Sequence, residues 1–231
     1  MKQDLLYHDP YSFRKQTLNK ETILEWFDQC DAAWMHDGDV KKPHAKLRSG
    51  KCSNGYFNCS LILCYPNICQ ILGYQLGQLF LSENGFNPDW VVSSSYAAII
   101  FGHEVAKTLG AKFGFTEKDP EDPKKQIWKR FTIPENSRVL QVEELITTSS
   151  TFKAVRQAIE KGNSETVDFC DTVCTLVHRP PKLPIDYDDR IVLALVEEEV
   201  WAIEPENCPL CKAGSECLEA KKNWAKLTGK A

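Results

Sequence analysis

Apolar residues recur at helical spacing over 20–35, "KETILEWFDQCDAAWM". Ile23, Leu24, Phe27, Cys30 and Trp34 share one stripe, which predicts the first long helix. The chain then turns basic in "KKPHAKLRSGK" before an apolar run, 56–63 "YFNCSLIL", with the length and bias of a strand. Pro66 suits a first helical turn, and a helix is predicted from there through Leu81. Short apolar runs then alternate with helical stripes: strand "DWVV", helix "YAAIIFGHEVAKTLG" closed by Gly110, and strand "AKFGFT". A polar stretch over 117–130, punctuated by Pro120 and Pro123, leads to strand "SRVLQV" and helix "FKAVRQAIEKG" ending at Gly162. Strands near 167–177 and 190–196 complete the pattern.

Strands alternating with helices of this length predict an α/β fold, with a mainly parallel, twisted sheet flanked by helices on both faces. Ligands in such sheets bind beyond the carboxyl ends of the strands. That rule selects the loops 94–96, 117–130, 143–151 and the turn after "CTLVHR". No internal repeat or low-complexity segment interrupts the alternation.

The 231 residues suit one domain, with a helical N-terminal segment over 1–55, an α/β core over 56–200 and a cysteine-containing tail over 201–231. A net charge of −4 argues against bulk attraction to nucleic acid or an anionic membrane, so any anionic ligand must meet a local basic cluster. No apolar run approaches the roughly 18 residues of a membrane span, and the N-terminal "MKQDLLYHDPYSFRK" is charged where a signal peptide is apolar. A cytoplasmic protein is expected. Most of the ten cysteines sit in apolar, strand-like or helix-like contexts, as buried reduced thiols do.

The chemistry concentrates in "VLQVEELITTSST". Glu143 and Glu144 end an apolar strand, and Thr147, Thr148, Ser149, Ser150 and Thr151 lead into a helix N-terminus, where free N–H groups and the helix dipole favour an anion. Adjacent carboxylates suit a polyol or a hydrated metal rather than a phosphate, so the whole stretch describes a sugar-phosphate site. A capped helix after an ordinary strand is the alternative.

The stretch resembles the signature of type I phosphoribosyltransferases, particularly the orotate phosphoribosyltransferases. The resemblance implies that Glu143 and Glu144 hold the ribose hydroxyls of phosphoribosyl pyrophosphate (PRPP), and that Thr147–Thr151 wrap its 5′-phosphate. Ser149 and Ser150 stand where that family often has glycine. "KLRSGKCSNGYFNCSLIL" is similar to the family's hood over the base; it implies Arg48, then Lys51, as the basic group towards pyrophosphate, with Tyr56 and Phe57 against the base. "WVVSSSYAAIIFGHEVAKTLGAKFGFTEKD" resembles the block carrying the pyrophosphate loop, which implies Ser94, Ser95 and Tyr96 for that loop. In the family such a loop turns backbone N–H groups inward, sometimes through an unusual peptide geometry.

In "TEKDPEDPKKQIWKR" the best match to the family's catalytic lysine is Lys118, ahead of Lys124, Lys125, Lys129 and Arg130. Arg179 matches the arginine that grips the orotate carboxylate, a task suited to a guanidinium fork. His178 precedes it where the family usually has Asp, and reads as a hydrogen-bonded histidine at a strand end rather than a base. The resemblance therefore implies a pentosyltransferase that makes orotidine 5′-phosphate and pyrophosphate, with magnesium carried by PRPP, catalysis by Lys118, Arg48 and Glu144, and a homodimer. A regulator that binds PRPP or a nucleotide with little or no turnover, and a transferase for another base, stay open. In the tail, Cys208, Cys211 and Cys217 offer at most three zinc ligands, with a fourth from elsewhere; a packed turn with free thiols is the other reading.

Overall fold

The computed structural model describes residues 5–47, 49–122, 125–185, 187 and 190–230. Helix α1 (Lys20–Gln29) starts where Asn19 Oδ1 accepts from Thr22 N at 2.9 Å. It stops short of the predicted span because Asp31 turns the chain with φ of 52°, and the next residues form strand β1 (Ala33–Met35). Strands β2 (His44–Lys46) and β3 (Cys52–Ser53) follow, then β4 (Gly55–Phe57), which pairs antiparallel with β1. That pairing outweighs the helical spacing of Cys30 and Trp34.

The strand expected over 56–63 also breaks early. After β4 the chain coils into a short helix, α2 (Ser60–Leu63), because Cys59, Ile62 and Leu63, at i, i+3 and i+4, are all buried. Next come α3 (Pro66–Asn84), β5 (Trp90–Ser93), α4 (Ala97–Leu109) with Gly110 closing it at φ 65°, and β6 (Lys112–Phe115). The polar stretch after β6 contains a small antiparallel pair, β7 (Glu117–Lys118) with β8 (Gln126–Ile127). Strand β9 (Arg138–Ile146), α5 (Ser150–Gly162), β10 (Asp168–His178) and β11 (Ile191–Glu197) complete the core, and β12 (Ala202–Ile203), α6 (Pro209–Lys212), β13 (Cys217–Glu219) and α7 (Trp224–Thr228) form the tail.

The main sheet has the order β11-β10-β9-β5-β6 and every pairing is parallel. Its two faces are read off the pleat: Val91, Leu140 and Val142 belong to one apolar cluster with α1, α3 and α4, whereas Trp90, Val92 and Val139 belong to another with Val155 and Ile159 of α5. The first cluster extends from Leu5 to Val200, so the N-terminal segment shares the core of the sheet. A second, small sheet, β12-β3-β2-β13, joins the N-terminal strands to the tail. Among the described residues no helix is long and apolar enough to cross a membrane.

Candidate functional site

Parallel pairing brings the ends of three strands side by side. Ser93 pairs with Val142, Glu143 with Thr175, and Ile146 with His178, so the loops that follow β5, β9 and β10 open at the same edge of the sheet. Strand β9 runs past the acid pair to Ile146, so both glutamates lie within it and the pleat separates them. Glu143 follows Val139 and Gln141 on the α5 face. It is 1% exposed, accepts from Ser94 Oγ at 2.5 Å and from Gln141 Nε2 at 2.8 Å, and burial pushes its carboxyl up to about 8. The expectation that both acids face a ribose meets this geometry: Glu143 is sealed inside the sheet holding Ser94, and Glu144 is the half-buried one. Burial raises the Glu144 carboxyl as well, partly offset by a backbone hydrogen bond and by the Lys118 charge.

Behind Glu143 the polar contacts continue inward. Arg156 of α5 donates to Gln141 Oε1 at 3.4 Å and to Cys170 O at 3.0 Å. Neither Gln141 nor Arg156 was singled out from the sequence, although a glutamine two residues before a glutamate in an otherwise apolar strand is a readable sign of a buried polar chain.

The hydroxyl loop reaches α5 without a left-handed residue: none of 147–151 has positive φ, so the serines in place of glycine meet no steric penalty here. Ser149 occupies the N-cap position but its side chain makes no capping bond, which leaves the first-turn N–H groups of α5 to an outside acceptor. Thr148 Oγ1 and Ser150 Oγ lie 3.0 Å apart. The loop is tied from below by Tyr187, whose hydroxyl donates to Thr147 O at 3.4 Å and meets His178 Nε2 at 2.9 Å, while His178 Nδ1 lies 2.6 Å from Glu197 Oε1. Both nitrogens of His178 are thereby engaged, as expected of a hydrogen-bonded strand-end histidine. Tyr187 carried no sequence signal.

On the β5 side the peptide between Ser95 and Tyr96 is cis, and Tyr96 is exposed at the start of α4. Lys118 enters this region from the β7–β8 pair: with the Gln126 amide turned to donate to Glu117 O (3.2 Å) and Thr116 Oγ1 (2.9 Å), its oxygen accepts from Lys118 Nζ at 3.0 Å. The other loop cations have different partners. Lys129 and Arg130 bind Glu117 at 3.2 and 2.5 Å, and Lys125 binds Asp122 at 3.4 Å; Lys124 lies outside the described residues.

Arg179 follows β10, with its N–H donating to Ile146 O at 2.8 Å, directly beside the entry to the hydroxyl loop. Its Nε is buried and has no hydrogen-bond partner, and burial lowers the guanidinium pKa. The side chain lines a cavity of about 530 Å³ with Lys46, Leu47, Tyr56, Glu219 and Lys222. A buried guanidinium with an open donor is built to receive an acceptor, and a planar carboxylate matches its fork. Tyr56 lines the same cavity, whereas Phe57 is 6% exposed and packs edge-on against Phe27 in the core, 5.6 Å between ring centres. Alternation along β4 sends these neighbours to opposite sides. Lys51 pairs with Glu204 at 3.3 Å, and Arg48 lies outside the described residues. In the tail, Cys208 and Cys211 converge on His44 and Cys52, and Cys217 Sγ lies 3.3 Å from Cys52 Sγ.

A parallel sheet with an acid-bearing strand, a hydroxyl loop entering a helix and a half-buried arginine just beyond the next strand defines a type I phosphoribosyltransferase fold. The same fold occurs in Leishmania donovani UMP synthase (TM-score 0.54, 14% identity), where the match covers 76% of this chain and 36% of that one. It also occurs in the Francisella tularensis orotate phosphoribosyltransferase (TM-score 0.50, 16% identity), covering 76% of this chain and 85% of that one. No protein-family model matches the chain. Among curated proteins it is 31% identical over 197 residues to the orotate phosphoribosyltransferase of Caldanaerobacter subterraneus subsp. tengcongensis, covering 85% of this chain and 94% of the relative. It is 32% identical over 187 residues to that of Pelotomaculum thermopropionicum, covering 81% and 93%. The chain belongs to the orotate phosphoribosyltransferase family.

Proposed function

We propose that the protein transfers the 5-phosphoribosyl group of PRPP to the ring nitrogen of orotate: the bond from ribose C1 to the pyrophosphate oxygen breaks, the C1–N bond forms, and orotidine 5′-phosphate and pyrophosphate leave. The observation that carries this reading is the buried, unpartnered Nε of Arg179, a residue that lines a cavity and whose backbone N–H bonds Ile146 at the entry to the hydroxyl loop. Orotate is a flat ring bearing one carboxylate, and a base without that group would leave the guanidinium buried and unpaired, at a cost of roughly 1–3 kcal/mol.

The remaining roles are those the family resemblance implies, adjusted to where the side chains lie. The hydroxyls of Thr147, Thr148, Ser149, Ser150 and Thr151 and the uncapped first turn of α5 hold the 5′-phosphate. Glu144 holds the ribose hydroxyls, and Glu143 acts one step back by orienting Ser94. Ser94, Ser95 and Tyr96 receive the pyrophosphate, and Lys118 meets the negative charge that develops as it departs. Arg48 shares that task on the strength of the family resemblance alone. Tyr56 lies against the base. Glu144 and the loop hydroxyls are hard oxygen donors that would help hold a magnesium ion bound with PRPP, which would offset charge on the pyrophosphate. The resemblance also carries a homodimer, for which the apolar groove between α3 and α4, lined by Leu63, Ile99, Ile100 and Phe113, offers a surface. Ten free cysteines fit a reducing, cytoplasmic setting.

The test is pyrophosphate release from PRPP and magnesium across a panel of bases. Orotate should be the preferred acceptor, and Arg179→Ala should raise its KM by about ten- to hundred-fold, as expected for a lost charge-assisted pair, while the KM for PRPP stays near the wild-type value. Preference for a purine, or an unchanged orotate KM in Arg179→Ala, overturns the base assignment. Saturable PRPP binding with no product from any base would make the protein a regulator on this fold.

A further inference from the structure

We propose that His44, Cys52, Cys208 and Cys211 bind a structural zinc ion that clamps the tail onto the strands walling the Arg179 cavity. Their four ligand atoms all lie within 4.8 Å of one another. Cys52 Sγ and Cys211 Sγ are 3.6 Å apart, and His44 Nε2 is 3.5 Å from Cys208 Sγ and 3.3 Å from Cys211 Sγ. A tetrahedral zinc with bonds of about 2.3 Å to sulfur and about 2.0 Å to nitrogen sets edges of roughly 3.8 Å between sulfurs and roughly 3.5 Å from sulfur to nitrogen. The three measured edges come within about 0.2 Å of these values, and the other separations in the set stay within 4.8 Å. A disulfide would need about 2.05 Å between sulfurs, and all ten cysteines are free.

Hydrogen bonding around the cluster orients it for a cation. Ser215 Oγ donates its one proton to Lys42 O at 2.7 Å, so at 2.8 Å from His44 Nδ1 it acts as acceptor. The proton of His44 is therefore on Nδ1, and the Nε2 lone pair points at the sulfurs, the tautomer a metal requires. Cys208-Pro-Leu-Cys211 forms a tight turn in which Cys211 N donates to Cys208 Sγ at 3.4 Å, closed by Ser215 N to Leu210 O at 2.9 Å. The Cys211 N–H bond fixes the Cys208 sulfur in place beside the turn. His44, Cys52 and Cys208 are each 0% exposed. A closed set of three soft sulfurs and one imidazole selects zinc over the hard cation that PRPP carries, and leaves no open position for catalysis. Cys217 is outside the mutually close set, touching Cys52 alone among the four.

The sheet holding this cluster needs such a tie. Its strands have two or three residues each, too short to stand alone, and they join segments far apart in sequence. Beyond the cluster, β2 runs into Lys46 and Leu47 and β13 into Glu219–Lys222, two walls of the Arg179 cavity. The effect on base binding rests on the function proposed above; the metal site itself does not.

Elemental analysis of the purified full-length protein should find about one zinc per chain, and X-ray absorption should find three sulfurs and one nitrogen around it. Cys208→Ser and Cys52→Ser should lose the metal, and Cys217→Ser should keep it. Less than about a tenth of an equivalent after incubation with zinc chloride, or a Zn–S shell without nitrogen, overturns the site whatever the variants do. So does loss of zinc in Cys217→Ser with retention in Cys52→Ser. Stripping zinc with a chelator should lower the melting temperature and raise the KM for the base more than that for PRPP. An unchanged melting temperature overturns the clamp. Zinc bound on this set in a protein that transfers to no base upholds the site and removes only the proposed base reaction.

Discussion

The carboxyl of Glu143 provides a stability signal that can be measured without substrate. In the unfolded chain it titrates near 4.5, and in the folded sheet burial moves it to about 8 against the opposing hydrogen bonds from Ser94 and Gln141. A carboxyl with a raised folded pKa holds its proton in the native state while the unfolded state releases it. Its contribution to stability is therefore fully present below 4.5 and is lost as pH rises through about 8. At about 1.4 kcal/mol per pH unit the loss sums to about 5 kcal/mol. Glu143→Gln keeps the shape and the two hydrogen-bonding neighbours and has no charge to bury. Urea unfolding of the ligand-free protein at several pH values between 4.5 and 8 should show the variant equal to the parent at the acid end and increasingly more stable towards the alkaline end. A gap of the same size at every pH, or one that closes as pH rises, would refute the burial argument.

Two further substitutions test single contacts. Gly162→Ala, which gains up to about 1 kcal/mol in an ordinary helix, should here destabilise by about 1–2 kcal/mol, because the added Cβ runs into the backbone carbonyl oxygen of Trp128; a raised melting temperature would contradict this. Tyr187→Phe, which cuts the link from His178 to Thr147, should cost about 1 kcal/mol and raise the KM for PRPP rather than for the base. Steady-state kinetics with each substrate varied in turn would separate the two effects.

The α/β alternation was legible because it depends on local pattern. Apolar runs of strand length, helical stripes and caps such as Gly110 need no distant partner. Prediction failed where a distant partner decided: Trp34 went into β1 because β4 pairs with it, and 60–63 coiled because Cys59, Ile62 and Leu63 share the core. Gly162 does end α5, as its residue type suggested, and packing adds a second use for it, because its missing Cβ lets Trp128 approach.

The same division runs through the site. Residue types and order point to the acid strand, the hydroxyl loop, Lys118 and Arg179 as candidates, since family motifs are written along the chain. Whether two neighbouring acids share a ligand depends on the pleat, which buries Glu143 and leaves Glu144 half-buried. Phe57 turned into the core while Tyr56 lined the cavity, for the same reason. The tail cysteines offered two or three candidate metal ligands; only folding brought His44 and Cys52 to them across more than a hundred and fifty residues of chain. Local sequence determines which element forms and which chemistry it carries. Pairing and packing between remote segments determine which of those groups meet, since burial and coordination depend on distances through space rather than along the chain.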